Sequence, residues 1–590
     1  MIRKAICFGC FAVGLILASA SMASAARATA PRLLPRETFF YARVADVPQS
    51  IERFKETALG RIANDPQMRP LVSDIYATIK DALAQVQERI GMSLDELLAI
   101  PQGEIAFGGF RLEGQARPGM AFIIDCGQNI ASARKLFGKL KEIGEASGDV
   151  RIVEETVAGT KVTVFAGGGD GPQVHLFEKD STFVLCPDLE SARAVITNWL
   201  GREGDAFENN AKFAAVMRAC SPGRDEEPQL TWFADPLAFA DAVAQENVGA
   251  RVGLAMLPAL GLDGLNALGG SITMAAGEYD MITHMHVLLA LPRAGVLAAI
   301  GLDSGDLTPQ KWVPADVAGY TTIYWDFQKT YREVEKLIDS FRGEGATADW
   351  SKLFIADRIG VDPIDYVLPK LTGRVTLISQ ILKPITVTSA AQLLAIEVHD
   401  EKEFQATLEK VVERVGQLSD RFLPEKTSIA GVTYYRIKVP APPNHREGDP
   451  LPEPAFGVVH GCLMLTDRET MLKNIITSSL SSSLADELDY KLIANKATRA
   501  AGAAQPGLLS FNRPEEGLRY LYDLASAEQT RKRLAEAGEE NQFFRSLGGV
   551  LDRNPLPPFS TLAKYIAPAG AAMINDDTGI HYVSFSLRRK

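Results

Sequence analysis

Cysteine and histidine are scarce in this sequence, with six cysteines and seven histidines in 590 residues. Two of the cysteines precede residue 26, and the other four, which include Cys462, form no Cys-x-x-Cys pair. That spacing excludes a disulfide framework of the kind that staples small secreted domains. A single bridge among Cys126, Cys186 and Cys220 stays open, with small buried side chains as the alternative interpretation.

Short catalytic motifs are missing as well. The chain contains no Gly-x-Ser-x-Gly or His-Glu-x-x-His pattern, and its Asp/Gly-rich turns have neither EF-hand spacing nor the Lys-Ser/Thr of a P-loop. No catalytic or cofactor-binding residue is therefore assigned, and no cofactor is expected. Whether the chain is an enzyme stays undecided, with a non-enzyme favoured, because a triad assembled from distant residues has no sequence signature.

Positive charge is also in short supply. The formal net charge is −11, and it becomes −13 when the two charges of Arg3 and Lys4 are removed with the N-terminal segment described below. No stripe of lysine and arginine interleaved with aromatic residues offsets the repulsion expected from a phosphate backbone. Nucleic acid is therefore excluded as an expected partner.

The N-terminal segment has the pattern of a secretory signal peptide. Arg3 and Lys4 form a short positive region, an apolar run follows, and Ala23-Ser24-Ala25 supplies the small residues that signal peptidase requires. We therefore assign residues 1–25 to a cleaved signal peptide. The mature protein is expected to be exported and to be periplasmic, associated with the cell envelope or secreted.

Long hydrophobic runs are absent beyond that segment. The most apolar stretches cover residues 252–276 and 287–302, but Pro258 and several glycines interrupt the first, and Pro292 with Arg293 interrupts the second. Neither stretch offers the ~18–20 uninterrupted apolar residues of a transmembrane helix. No membrane-spanning segment is therefore expected after signal cleavage.

What the sequence does contain is an internal repeat. Segments of the first half return in the same order in the second half, at a separation that stays between 269 residues (Arg89 to Arg358) and 298 residues (Ile282 to Ile580). The corresponding segments are 34–41 and 313–320, 89–91 and 358–360, 103–107 and 373–377, 121–125 and 394–398, 158–159 and 430–431, 188–191 and 467–470, 233–236 and 511–514, and 282–288 and 580–585. Ordered matches at a nearly constant separation predict that one unit has been duplicated.

The residue pattern within each half predicts the fold class. Alternating apolar and polar residues indicate consecutive strands joined by short turns, with amphipathic helices between them. Strands joined by short turns are antiparallel. The predicted class is therefore α+β, as two tandem copies of one unit with helices packed on an antiparallel or mixed sheet. The predicted repeats cover residues 31–300 and 311–590, on either side of the turn-rich stretch 301–310.

Two short motifs carry a resemblance to a known family. Leu34-Pro35-Arg36-Glu37-Thr38 stands ahead of a predicted strand, and Arg89-Ile90-Gly91 precedes a short helix and a strand led by glycine. With the signal peptide, these motifs resemble an uncharacterised family of exported bacterial proteins, a domain of unknown function. The resemblance covers most of each half, and the second copy departs from it with Val317 in place of Thr38. It implies export and an envelope setting, and it brings no activity, cofactor or catalytic residue.

His284 and His286 are the only metal-site candidates, and they are weak ones. They alternate on a predicted strand, so both imidazoles point to one face, where a third ligand would be needed to hold zinc or copper. The favoured interpretation is a half-exposed polar strand face, with Met281 and Met285 on the other face. No metal is therefore assigned.

Three functional hypotheses follow. The favoured one is a non-enzymatic envelope module, either structural or binding, whose partner is an unknown envelope protein or cell-surface component held across a two-lobed surface. The second is a carrier of a small hydrophobic ligand, which predicts a large apolar pocket. The third is a hydrolase with an unrecognised site, which predicts converging histidine, serine or carboxylate groups in a cleft.

Overall fold

The structure is a computed structural model of the 590-residue chain. It describes residues 27–115, 117–148, 150–168, 171, 173–201, 206–221, 226–244, 248–386, 388–418, 424–439, 451–478, 482–502, 504–526, 549–551 and 553–589. The segment assigned to the signal peptide, residues 1–25, lies outside the described residues.

The strands have the following bounds. They are β1 (Thr38–Val44), β2 (Ile105–Phe110), β3 (Gly119–Asp125), β4 (Val150–Val157), β5 (Thr160–Gly167), β6 (Gln173–Lys179), β7 (Thr182–Cys186), β8 (Leu230–Ala234), β9 (Leu265–Ala276), β10 (Tyr279–Leu289), β11 (Leu302–Asp303), β12 (Gly319–Trp325), β13 (Leu371–Ile381), β14 (Ala390–Val398), β15 (Pro424–Ile429), β16 (Val432–Ile437), β17 (Ala455–Val459), β18 (Cys462–Thr466), β19 (Leu508–Asn512), β20 (Ala569–Asp576) and β21 (Gly579–Leu587).

The helices alternate with these strands. They are α1 (Ala30–Leu33), α2 (Val47–Glu56), α3 (Ala58–Asn64), α4 (Arg69–Ala82), α5 (Ala84–Ile90), α6 (Leu94–Leu98), α7 (Ile130–Ser147), α8 (Leu189–Trp199), α9 (Ala211–Cys220), α10 (Pro236–Ala244), α11 (Val248–Met256), α12 (Gly295–Ala298), α13 (Phe327–Arg342), α14 (Ala346–Ser351), α15 (Asp357–Ile359), α16 (Pro363–Tyr366), α17 (Glu401–Leu418), α18 (Glu469–Thr477), α19 (Leu488–Ala501), α20 (Pro514–Ser526) and α21 (Phe559–Ala563).

The predicted α+β class is confirmed. The structure is 44% helical and 31% strand, with a large antiparallel sheet and helices. The corresponding segments 158–159 and 430–431 are both hairpin turns, Ala158-Gly159 between β4 and β5 and Ala430-Gly431 between β15 and β16. The φ angles are 47° and 82° in the first turn and 51° and 80° in the second. Two consecutive positive φ angles match the right-handed twist of the flanking strands, which explains why glycine occupies the second position of each turn.

The chain divides into two compact units. The first contains residues 98–210 together with the chain up to residue 43. Its strands follow the order β1–β2–β3–β7–β6–β5–β4. Helix α8 lies against β3, β6 and β7, and its buried Val195 and Ile196 join a core with Ile123 and Val184.

The second unit contains residues 44–97 and 211–590. Its strands pair antiparallel in the order β8–β9–β10–β21–β20–β19–β12–β13–β14–β18–β17–β16–β15. These two units are defined by contacts in the structure, whereas the repeats 31–300 and 311–590 are predicted from matching sequence segments. The division into repeats stays a prediction.

One face of the sheet in the second unit is covered by helices. Helix α19 lies on β19, β20 and β21, α18 on β14, β17 and β18, and α9 on β9 and β10. Helix α19 can do so because Tyr490, Ile493, Ala497 and Ala501 recur on one side of it and are all buried. Among the described residues, no helix is long and apolar enough to cross a membrane.

Candidate functional site

The helix-covered face of the second unit is a packed core. Strand residues alternate between the two faces of a sheet, and cross-strand partners share a face. Tyr320 pairs with Phe511, and Ile282 pairs with Phe585. All four side chains are at most 4% exposed and belong to one hydrophobic cluster with Ile493 of α19. Burial of these side chains removes apolar surface from water, so this face of the sheet stabilises the fold.

The opposite face also carries apolar side chains, but it is not buried. Following the register from β8 to β18 gives one row of side chains that crosses ten strands. The row is Trp232, Gly270, Met285, Tyr582, Met573, Leu508, Ile323, Val375, Ile396 and Leu463. Apart from the glycine, every one of these residues is half-buried or exposed. At about 4.8 Å between strands, the row is roughly 43 Å long.

A parallel row lies two residues along each strand. It consists of Ile272, Thr283, Ser584, Ala571, Ser510, Thr321, Leu377, Leu394 and Leu465. Leu377 is 45% exposed and Leu465 is 39% exposed. We call the two rows together the open face. No residue of the open face carries a charge.

Gly270 in β9 leaves room for Trp232 at the end of the first row. A Cβ atom on Gly270 would lie 2.7 Å from the indole Nε1 of Trp232 and 2.6 Å from the carbonyl oxygen of His284. Only glycine permits the indole to lie this close to β9, because any side chain would displace the ring or the backbone. Trp232 therefore lies directly against the sheet at this end of the row.

Helix α17 borders the open face at its other end. Its residues Phe404 and Leu408 pack against Leu463, Val458 and Val398, so the apolar surface is closed there by the protein itself. Between α17 and Trp232 the rows run over strands whose residues are only partly covered. Two uncharged rows of this length with partly exposed apolar side chains are a candidate interaction site.

The predicted metal candidates lie on the covered face of the same sheet. His284 and His286 do share a face of β10, as predicted, and β21 adds His581 opposite His286. However, the expected half-exposed face is wrong. His284 is 1% exposed and His286 is 2% exposed, whereas Met281 and Met285 on the other face are 42% and 38% exposed. Helix α9 covers the histidine face, which explains the reversal.

The three imidazoles contact one another rather than converging on an ion site. Nδ1 of His284 and Nε2 of His581 are 3.1 Å apart, which is a hydrogen-bond distance. The ring centroids of His286 and His581 are 5.8 Å apart. Burial lowers the pKa of His286 and lowers that of His581 to about 4. In the part of the chain that the structure describes, no group of three or more His, Cys, Asp or Glu side chains is placed to hold a metal.

Two buried charged residues occupy similar places in the two units. In the first unit, Glu104 is 4% exposed and accepts hydrogen bonds from Arg27, Arg43 and the backbone N–H of Ala30. Both arginines make ion pairs with it. The N-terminal segment of the described chain is therefore tied to β2 by a buried carboxylate that is well paired.

The second unit has an arginine in the corresponding setting. Arg374 is 5% exposed and donates hydrogen bonds to the carbonyl oxygen of Thr308 and the hydroxyl of Tyr320. The pKa of Asp306 is lowered, first by hydrogen bonds from Thr308 and then by the nearby charge of Arg374. The segment that precedes β12 is thus tied to β13 by a buried guanidinium.

The four cysteines of the described chain are free and buried. Burial raises the pKa of the Cys126 thiol to about 11, and those of the Cys220 and Cys462 thiols to about 12. A thiol that stays protonated is a poor nucleophile. These side chains pack as small apolar groups, and no bridge joins Cys126, Cys186 and Cys220.

Three cavities lined by described residues open on solvent and have mixed linings. One of about 760 Å³ lies beside Tyr490 and Arg499, and one of about 480 Å³ has Asp316, Lys383 and Arg513 in its wall. Neither has the apolar lining expected for an enclosed hydrophobic ligand. The open face is therefore the better candidate site, and sequence patterns missed it because its residues come from ten strands.

Comparisons with known proteins add no relative. No protein-family model matches the chain, and neither a curated protein nor a solved structure matches it.

Proposed function

We propose that this chain is an exported, non-enzymatic binding module of the cell envelope, and that the open face of the second unit is its binding surface. The observation that carries the proposal is the uncharged row from Trp232 to Leu463, in which only Gly270 is buried. Burying such a surface against a partner lowers the free energy by roughly 25 cal/mol per Å² of apolar area removed from water. Export and the envelope setting rest on the N-terminal sequence pattern and on the family resemblance.

A duplicated architecture is part of this proposal. The order β1, β2, β3, α7, β4–β7, α8, α9, β8, α10, β9, β10 is followed by β12, β13, β14, α17, β15–β18, α18, α19, β19, α20, β20, β21. Left out of the two series are α2–α6 between β1 and β2, α13–α16 between β12 and β13, and the helices α11 and α21; the remaining elements agree in kind and order. This agreement supports two copies of one unit, with β11 and the chain around it between them.

The buried charges support duplication in a second way. Glu104 and Arg374 each follow the glycine that leads the repeated strand. Arg27 stands seven residues before the buried Leu34, and Asp306 stands seven residues before the buried Val313, which is the residue corresponding to Leu34 in the repeat. The signs are inverted between the copies. Arg27 makes an ion pair with the buried Glu104, whereas Asp306 is exposed and interacts with the buried Arg374 by its charge. The recurrence of charged residues at both positions supports divergence of two copies from one ancestor.

A carrier of a small hydrophobic ligand is the second candidate. The uncharged character of both rows favours it, since apolar ligands need no charged anchor. The absence of an enclosed apolar lining in the two cavities described above favours the binding module instead, because a carrier would shield its ligand from water.

Binding of an uncharged fluorescent probe, N-phenyl-1-naphthylamine, tests the proposal. The full-length mature protein is compared with a Met285→Asp/Leu377→Asp variant, which places two charges on exposed positions of the open face. We expect the Kd of the probe to rise at least about tenfold, which corresponds to 1.4 kcal/mol. The matched control is Leu488→Asp, because Leu488 is 82% exposed on α19, away from the open face. Equal binding by the wild type and the double variant would overturn the proposal.

A further inference from the structure

The pairing of β10 with β21 connects two parts of the large sheet. Strand β10 belongs to the antiparallel series β8–β9–β10, and β21 begins the series β21–β20–β19–β12. The register runs from Tyr279 opposite Leu587 to Leu288 opposite Gly579. We call this strand pair the seam. Its hydrogen bonds hold together chain segments about 300 residues apart in sequence.

The seam contains the three-histidine cluster. His284, His286 and His581 lie on its covered face, with one hydrogen bond between the first and the last. The Nδ1 atoms of His286 and His581 are buried and make no hydrogen bond to a described group. Three imidazoles in contact cannot all be protonated without repulsion, and burial removes the water that would screen it. The packing of the seam is therefore suited to neutral imidazoles only.

The elements packed around the cluster supply little compensating charge. Strand β9 places Ser271 and Gly269 opposite His284 and His286, and β20 places Ile574 opposite His581. From the β20–β21 turn, Asp576 acts on His286 and His581 by its charge, and it is engaged by hydrogen bonds from Thr578 and Gly579. Helix α9 contributes the buried thiol of Cys220, which burial keeps neutral.

The other charged residues of the covering helices are directed elsewhere. On α9, Lys212 pairs with Asp235 and Arg218 is exposed. On α19, Asp489 pairs with Arg513, Lys496 pairs with Glu278, and Lys491 and Arg499 are exposed. Among the described residues, Asp576 is the carboxylate whose charge favours protonation of His286 and His581, and a partly engaged carboxylate cannot offset the charges of several buried imidazolium groups.

We infer that His284, His286 and His581 form an acid-sensitive latch, in which neutral imidazoles hold β10 and β21 together and protonation separates them. The side chains of Met285 and Tyr582 project from the same two strands onto the open face. Loosening the seam would therefore also disturb the middle of the open face. The latch itself does not depend on what the open face binds.

The sign of the pH dependence follows from the lowered pKa values. The unfolded imidazoles take up protons near pH 6.5, whereas the folded His581 does so at about 4 and the pKa of His286 is also lowered. Between these values the opened state binds more protons than the closed state. The stability of the seam is thus complete above about pH 6.5 and is lost as the pH falls toward 4.

Hydrogen–deuterium exchange of the full-length mature protein at pH 7, 5.5 and 4.5 tests the latch. Protection factors are measured for amides of residues 280–288 and 580–586, with β12 and β13 as an internal reference from the same unit. We expect protection of the seam to fall at least about tenfold more than that of the reference, because an imidazole whose pKa is lower by one binds its proton tenfold more weakly. In His581→Gln, which retains a group able to hydrogen-bond with His284 but cannot be protonated, this excess loss shrinks.

The matched control is His175→Gln in the first unit. His175 is also 4% exposed, with an unpartnered Nδ1 and a pKa lowered by burial, but it lies outside the seam. The control should retain the acid response of the wild-type seam. The latch would be refuted by a seam that loses no more protection than β12 and β13, or by an unchanged response in His581→Gln. Should that variant unfold at pH 7, an NMR titration of the wild-type imidazoles decides: a resonance of His581 that titrates near 6.5 refutes the latch.

Discussion

The two faces of the sheet in the second unit contain similar kinds of side chain and differ in what covers them. On β13, Ile378 is fully buried and its neighbour Leu377 is 45% exposed. On β18, Met464 is fully buried and its neighbour Leu465 is 39% exposed. On these two strands apolar side chains occupy both sides of one backbone, and the two sides differ in exposure.

This difference is the ground for the proposal that the open face is a binding surface. An antiparallel sheet covered on one side normally has polar residues on the other, because that side faces water. Here the second side keeps apolar residues at Met285, Leu377, Leu394 and Leu465, where solubility alone would favour polar ones. Serine and threonine occupy other positions of the same face, among them Thr283 and Ser510, so the exposed apolar residues are the part of it that the proposal concerns.

The largest contrast is expected from the same charge placed on either side of β13. Ile378→Asp would bury a carboxylate without a partner and should lower the free energy of unfolding by about 4 kcal/mol or more. Leu377→Asp should lower it by less than about 1 kcal/mol, since the new carboxylate stays in water. Urea unfolding of both variants measures the difference, and equal losses would contradict the assignment of the two faces.

Side-chain truncation on β18 sharpens the comparison without introducing charge. Met464→Ala removes a fully buried side chain and should cost about 2–5 kcal/mol. Leu465→Ala should cost less, about 1.5 kcal/mol or under, because 39% of the residue is already exposed to water. The two values come from guanidinium unfolding at one pH. A Leu465→Ala loss as large as that of Met464→Ala would mean that the open face is covered in solution.

A smaller loss of stability is expected from substitution of Gly270, which lies against Trp232 at the end of the open face. Gly270→Ala would place a methyl group against the indole and the backbone of His284, at a cost of about 1–3 kcal/mol. The indole should move away from the sheet, which would shift its fluorescence emission. Gly253→Ala on α11 is the control, since nothing lies within 4 Å of the added Cβ and alanine favours a helix. If the two variants had the same free energy of unfolding and the same emission spectrum, the role given to Gly270 would be wrong.

Much of the local structure could be predicted from the sequence. The hairpins at Ala158-Gly159 and Ala430-Gly431 follow from residue types that tolerate positive φ, and Asp188 accepts a hydrogen bond from the N–H of Ser191 at the start of α8. The shared face of His284 and His286 follows from strand alternation. These features depend on residues close together in the chain, which is why sequence patterns predict them.

The burial of that face could not be predicted, and neither could the open face. Strand β10 has apolar residues on both sides, so alternation does not say which side the helices cover. The answer depends on α9, which precedes β10 by about 60 residues, and on α19, which follows it by about 200. The open face can be recognised only when the pairing register of ten strands is known. Likewise, His581 joins the histidine cluster only through the pairing of β10 with β21.

Methyl NMR of the full-length mature protein with labelled methionines tests the central claim most directly, because methionine occurs on both faces. A nitroxide-labelled fatty acid is added as a paramagnetic apolar probe. The account predicts that the methyl signals of Met285 and Met573 on the open face broaden at lower probe concentration than those of the buried Met464 and Met471, because broadening falls steeply with distance. Broadening confined to methionines outside the open face, or no broadening at any probe concentration, would contradict the account.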